Sequence, residues 1–324
     1  MQPLSITHVD TEEAWRGGQQ SLLTLARGLR DRGHTQTIVS PENSALSERA
    51  RDERFVVVTK VPRTGDIVHS HSGQAHNMAV RATLGASITR IVTRHVAFQP
   101  KHPLVHRLKY TKTCDGIIAV SAAVRNVLTE AGIPADRIQV IHTGIALPDQ
   151  PAPRPHKGFA VGHMGAFTRE KGQDIAIEAA RLLPDVRFVL AGEGPLLDEL
   201  RRSAPPNVAF PGFVQDLAEF FSGLELFIMP SRSEAWGLAT LEAMAYGVPV
   251  IVSDIEGLSE IVTPQCGVLV PPGNAEMLAQ AIATIDRVGL TARREAARAR
   301  AAEFTVAKMA EDTETFYRRV HRLS

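Results

Sequence analysis

The chain has 324 residues, 36 of them basic and 35 acidic, and its formal charge of +1 gives no broad electrostatic case for binding nucleic acid. That length suits two domains better than one, and two cysteines, Cys114 and Cys266, fit neither a disulfide framework nor a metal cluster. No apolar run approaches the ~18 residues that span a bilayer, and no basic stretch followed by an apolar one opens the chain, so a cytoplasmic location is expected.

Leu4 to Val9 reads as a first strand, followed by a polar loop from Asp10 to Arg16 and the pair Gly17-Gly18. Leu22, Leu25, Ala26 and Leu29 then recur at helical spacing up to Gly33. Strand, glycine pair and helix suit a backbone that admits a ligand at a helix N-terminus; a simple tight turn is the plainer reading. The Gly-x-Gly-x-x-Gly fingerprint is absent here, which argues against a nicotinamide dehydrogenase. Further strand-like runs lie at Thr35–Val39, Phe55–Val58, Asp66–His69, Ile88–Thr93, Gly116–Val120 and Arg137–Ile141, most of them separated by helical stretches. Such alternation predicts a parallel, doubly wound sheet.

His69 and His71 stand two apart at a strand end and so face one side. With no third ligand evident nearby, they read as pocket lining or structural histidines rather than a metal site. His95 closes the next strand, where an imidazole can donate to a hydroxyl or shield developing charge. Residues 98–113 carry Lys101, Arg107, Lys109 and Lys112 among Phe98, Leu104, Val105 and Leu108. A solvated helix face is the plain reading of this segment, and contact with an anionic acceptor or a membrane surface is the alternative.

Leu147 to Pro155 holds four prolines and reads as a semi-rigid linker. A fresh strand is predicted near Phe159–Met164, then a loop carrying Arg169 and Lys171, where a lysine is placed to neutralise a diphosphate. Arg187 to Leu190 is the next strand, ending in Gly192-Glu-Gly194, and a loop through Val214 to Asp216 follows. Leu224 to Met229 leads into Pro230, a polar loop, a helix from Leu238 and a second β-branched run at Val248–Val252. This strand–loop–helix–strand unit is a parallel crossover, in which ligands sit at the carboxyl end of the strands. Glu234 and Glu242 flank the helix start, with Trp236, Gly237 and Leu238 between them. Two carboxylates with free amides between them suit a ligand that carries both hydroxyls and phosphate.

Ser233-Glu234-Ala235-Trp236-Gly237-Leu238 with Glu242 resembles the Glu-x7-Glu motif of retaining glycosyltransferases of family 4. Asp66-Ile-Val-His-Ser-His71 and the order of lysine loop, Gly-x-Gly and Val214 loop fit the same resemblance. It implies the GT-B fold: two facing Rossmann-like α/β domains, at residues 1–150 and 156–304, with a cleft between them and a last helix, 305–324, returning to the first. By resemblance, Glu234 holds the transferred sugar, Glu242 the ribose, and the amides at Gly237 and Leu238 the diphosphate. Lys171 and Arg169 add positive charge, Gly194 and the Val214 loop complete the donor side, Gly17-Gly18 lie across the cleft, and His95 approaches the reacting sugar. No metal and no cofactor beyond the nucleotide sugar are implied, and the acceptor is a glycan or a lipid-linked sugar. Two departures stand out. Ala166 occupies the place of the family's usual arginine, and His142, Thr143 and Ala146 depart from its usual Pro-Asn-Gly-Ile-Asp turn. Two other readings are a nucleotide-sugar epimerase on the same fold and a non-catalytic sugar-nucleotide or glycan-binding protein.

Overall fold

A computed structural model describes residues 2–96, 103–150, 159–285 and 289–322. Linker residues 151–155, and 98–102 of the basic segment, lie outside the described residues. The chain divides into two units: residues up to Ile145 together with those from Phe304 onward, and Ala146–Glu303.

The first unit contains a parallel sheet of β1 (Ser5–Val9), β2 (Thr35–Val39), β3 (Val56–Val58), β4 (Ile67–Ser70), β5 (Thr89–Arg94), β6 (Gly116–Ala119) and β7 (Ile138–Val140). Its spatial order is β3-β2-β1-β4-β5-β6-β7, so the winding reverses between β1 and β4. Every residue of β4 and β6 is buried, as expected of central strands covered on both faces. On one face Leu25 and Leu29 of helix Gly17–Asp31 pack with Phe316, Tyr317 and Val320 of helix Val306–His321 over Ile6, Ile67, Ile91 and Ile118. The C-terminal helix is thus part of this unit's core although the whole second unit precedes it in sequence.

The second unit repeats the plan with β8 (Ala160–Met164), β9 (Arg187–Ala191), β10 (Val208–Gly212), β11 (Leu226–Met229), β12 (Val250–Ser253) and β13 (Gly267–Val270). The order is β10-β9-β8-β11-β12-β13, all parallel, with its reversal between β8 and β11. Helices Gln173–Leu182 and Ala275–Thr284 cover one face, burying Ala176, Ile177, Leu278 and Ile282 against Val161, Leu190 and Ile228. Both sheets are therefore Rossmann-like, and in each the reversal splays the flanking loops apart at the carboxyl ends, where open parallel sheets bind ligands.

Candidate active site

In the second unit the loops after β8, β9, β11 and β12 meet at the carboxyl ends of the strands, and glycines set how closely. Gly172 has φ +69°, and a Cβ on it would stand 2.1 Å from the Pro230 carbonyl oxygen. Gly192 at φ +129° leaves only 2.0 Å to the Gly165 oxygen, and Gly194 at φ +154° leaves 2.6 Å to the Phe167 backbone. On the other side, a Cβ on Gly257 would meet the Glu234 oxygen at 2.2 Å. No side chain fits these gaps, so the loops seat backbone to backbone.

This seating brings the Lys171 ammonium onto the Glu234 carboxylate, a hydrogen-bonded ion pair between two half-buried side chains. The Arg232 amide donates to the Glu170 carbonyl at 2.7 Å, and its guanidinium grips Asp174 at 2.8 and 2.6 Å. Burial opposes ionisation of Asp174, yet the hydrogen bond and charge of Arg232 hold its carboxyl below the usual range. Arg232 thereby ties the β11 loop to the β8 loop. Arg169 is exposed, and its carbonyl accepts from Arg232 at 3.0 Å.

Gly237, in the left-handed region at φ +80°, caps helix Leu238–Ala245 without a side-chain cap. A helix start leaves its first amides without intrahelical acceptors, so they point to whatever lies before Gly237. Trp236 is buried just ahead of this turn, and Glu242 is 8% exposed two turns beyond Glu234. Four residues after Glu242, Tyr246 lines a shallow, open recess with Gln215, Asp216, Leu217 and Ala218. Burial, then the charges of Asp216 and Glu242, push the Tyr246 hydroxyl pKa up. Val214 is half-buried on the strand-to-helix loop that leads into this recess, and Gly194 is exposed at the end of its own loop.

In the first unit, Gly17 and Gly18 open helix Gly17–Asp31, and the Gln19 side chain accepts from the Arg16 amide at 3.2 Å. Gln19 also donates to the buried Asp10 carboxylate at 3.2 and 3.1 Å; desolvation outweighs these bonds and raises the Asp10 pKa. His95 lies beside this turn, its Cδ2 3.9 Å from where a Gly18 Cβ would stand. Burial, aided by the Arg94 charge, lowers the His95 pKa to about 4, so the ring is neutral.

The structure also supplies the third imidazole that spacing alone does not reveal. His8 of β1 pairs in register with His69 of β4, and their ligand atoms with those of His71 lie within 4.8 Å of one another. Their hydrogen bonds decide the reading. Gln36 donates to the Ala26 carbonyl at 2.7 Å, which turns its oxygen toward His8 Nε2 at 3.0 Å and so places the proton on that nitrogen. His8 Nδ1 is then the acceptor from His71 Nε2 at 3.1 Å. His69 engages Tyr317 through Nδ1 at 2.5 Å and Thr93 through Nε2 at 2.6 Å. With both nitrogens of His8 and His69 occupied, the group is a buried hydrogen-bonded lattice that holds the C-terminal helix to the sheet.

Comparison with known proteins bears on both units. Residues 64–147 match the family model Glycosyltransferase Family 4, and residues 158–286 match Glycosyl transferases group 1. Each segment is thus similar to a glycosyltransferase domain. A GDP-mannose-dependent α-(1-6)-phosphatidylinositol dimannoside mannosyltransferase of Mycobacterium tuberculosis is 36% identical over 151 residues, 44% of this chain and 39% of the relative. The D-inositol 3-phosphate glycosyltransferase of Mycobacterium bovis is 31% identical over 230 residues, 60% of this chain and 48% of the relative. The chain spans less than half the length of these relatives. Among solved structures, Anabaena HepE in complex with UDP-glucose superimposes with a TM-score of 0.85 at 22% identity, over 97% of this chain and 99% of that one. At that identity the likeness establishes the fold.

Sequence reasoning misses the Arg232–Asp174 grip, the close approach of Gly257 and the Asp216–Tyr246 recess. Gly257 carries no local signal, because its requirement for glycine comes from the Glu234 carbonyl of another loop. The single Arg232 between two serines and an acidic helix start at Asp174 are visible, but nothing in their spacing joins them.

Proposed function

We propose that this chain transfers a sugar from a nucleoside-diphosphate donor to a hydroxyl of a glycan or lipid-linked acceptor, with retained anomeric configuration and without an obligatory metal. The observation that carries this reading is the Lys171–Glu234 ion pair beside the helix start at Gly237. An arriving diphosphate offers Lys171 a second anion and meets the first amides of the helix, while Glu234 turns to accept from sugar hydroxyls. Glu242 binds the ribose, and the recess at Gln215–Ala218 and Tyr246 receives the base end of the nucleotide. The ammonium, the exposed Arg169 and the helix amides provide the positive potential that stabilises the leaving diphosphate. His95, neutral and half-buried beside Gly18, offers a hydrogen bond to the reacting sugar without adding charge. Exposed Leu104, Val105 and Leu108 with Arg107 and Lys112 suit contact with the cytoplasmic face of a membrane that carries the acceptor.

Calorimetric titration with UDP, GDP and ADP, chelator present, tests this on the wild type and on Lys171→Ala. One nucleotide is expected to bind, and about tenfold or more of its affinity to be lost in the variant, the worth of one charge-assisted bond to phosphate. Binding that is unchanged in Lys171→Ala removes the lysine from the donor site. Binding of no nucleotide, or binding without acceptor-dependent turnover, overturns the transferase reading in favour of a glycan-binding or partner protein.

A further inference from the structure

Helix Leu290–Ala301, rich in alanine and arginine, packs along helix Leu238–Ala245, whose first turn at Gly237 opens the candidate site. Ala297 and Ala301, one turn apart, are fully buried on its inner stripe. Arg294 and Arg298, also one turn apart, flank that stripe and are half-buried. What these two arginines meet is the far end of helix Leu238–Ala245.

The last carbonyls of a helix find no amide within it. Here the Tyr246, Gly247 and Val248 amides turn back to the Glu242, Met244 and Ala243 carbonyls, with Gly247 in the left-handed region at φ +76°. Ala245 is left over, because the residue four on is Pro249, which has no N–H to give. Arg298 Nη1 donates to the Ala245 carbonyl at 3.3 Å, and Arg294 Nη1 to the Gly247 carbonyl at 3.2 Å. The second nitrogens tie this helix end to its surroundings. Arg298 Nη2 reaches the Pro148 carbonyl at 3.5 Å, and Arg294 Nη2 pairs at 2.6 Å with Glu225, the residue just before β11. Among the described residues Arg298 meets carbonyls alone, so the negative end of the helix dipole answers its charge. Arg300, on another side of the same helix, donates to the Glu260 and Ile261 carbonyls at 2.6 and 3.0 Å. These close the segment whose Gly257 seats against the Glu234 carbonyl.

We infer that Arg298 and Arg294 are positioning residues of the proposed donor site: they grip helix Leu238–Ala245 by its C-terminal end and so set where its first amides and Glu242 stand. The inference rests on the reading of that helix start as the place of the donor diphosphate. The helix has eight residues, about 12 Å at the helical rise, so a shift at one end is felt at the other. A helix this short owes its place to what packs on it rather than to its own hydrogen bonds. A diphosphate at the first turn and a guanidinium at the last each sit at the favourable end of one dipole. The anion draws on the amides, and the arginines hold the opposite end against that pull.

The test is calorimetric titration of the full chain with UDP, GDP and ADP, on the wild type, Arg298→Gln, Arg298→Lys and Arg293→Gln. Arg298 is the decisive position, because loss of Arg294 would also leave Glu225 unpaired. For the nucleotide that binds the wild type, Arg298→Gln is expected to raise Kd about fivefold at unchanged stoichiometry. Arg298→Lys keeps a cation and a donor at the helix end and is expected to recover most of that loss. Arg293→Gln removes a bond of the same kind from the same helix, to the Pro264 carbonyl at 3.0 Å, and is expected to leave Kd within about twofold. A residue that only stabilises the fold would lower the stoichiometry or the unfolding midpoint and leave Kd intact. That result for Arg298→Gln overturns the inference, as does an equal rise of Kd in Arg293→Gln. If a nucleoside diphosphate binds the wild type and Arg298→Gln alike, the donor site stands and only the positioning role falls. If none binds the wild type, the donor-site reading fails and takes this inference with it.

Discussion

Glu242 shows how much one side chain's role depends on where its helix begins. It sits inside helix Leu238–Ala245, and helix periodicity alone would place it among Leu241 and Met244 as a partly hidden polar residue. At 8% exposure it is nearly buried, and its charge is felt by Tyr246 one turn later. In the proposed reading Glu242 accepts hydrogen bonds from the ribose hydroxyls. Glu242→Ala is therefore expected to weaken nucleotide binding by about 1.5–3 kcal/mol, the worth of hydrogen bonds to a charged group. Calorimetry on the purified variant measures it; unchanged affinity would remove the ribose from this helix. Glu242→Gln, which retains acceptor and volume, is expected to lose less.

At the scale of elements, the sheets were legible because buried parallel strands are near-continuous β-branched runs: Thr35–Val39 appears in the structure at the very bounds read from sequence, and Asp66–His69 shifts by one residue to Ile67–Ser70. What joins elements was not legible. Lys171 and Glu234 stand 63 positions apart, and their contact follows from β8 and β11 being sheet neighbours. His8 and His71, also 63 apart, meet because β1 and β4 pair across the point where the winding reverses. Helix Pro103–Thr113 is a case in which sequence showed the composition and only the structure showed the face. Tyr110 is buried, whereas Leu104, Val105 and Leu108 are 73%, 66% and 58% exposed. The helix holds no acidic residue. Three large apolar side chains in water beside Arg107 and Lys112 suit an anionic bilayer surface. Binding to vesicles rich in anionic lipid is expected to fall about tenfold in Leu104→Gln/Leu108→Gln and to weaken with salt, as cosedimentation would measure. Equal sedimentation of the double variant would make the face a plain solvated one. Because these residues point away from the core, the variant's unfolding curve is expected to match the wild type.

The whole molecule has an uneven distribution of buried imidazoles, and this sets its response to acid. His8, His69 and His71 are fully buried in the first unit with pKa values lowered mainly by burial, to about 4 for His8, and the half-buried His95 is likewise lowered to about 4. Among the described residues of the second unit only His163 is in this state, its pKa also lowered to about 4 by burial. A histidine that is neutral when folded and titrates near 6.5 when unfolded lets the unfolded chain bind the extra proton. Its contribution is complete above about pH 6.5 and is lost as pH falls toward 4. At pH 5 each such group costs of order 2 kcal/mol, so the first unit loses several times what the second loses. The two tryptophans report the units separately. Trp15 packs with Leu22, Ile38 and Phe55 in the first, and Trp236 is buried beside Gly237 in the second. Thermal unfolding followed by fluorescence in Trp236→Phe and in Trp15→Phe therefore reads each unit by itself. Between pH 7 and pH 5 the midpoint reported by Trp15 is expected to fall several-fold further than that reported by Trp236. Equal shifts would mean that the histidine lattice is protonated without opening, and a larger fall at Trp236 would place the acid-labile group in the second unit instead. His8→Gln supplies a control of known sign. It keeps a donor toward Gln36 and removes one titrating ring, so it is expected to flatten the acid slope of the first unit even where it lowers stability at pH 7.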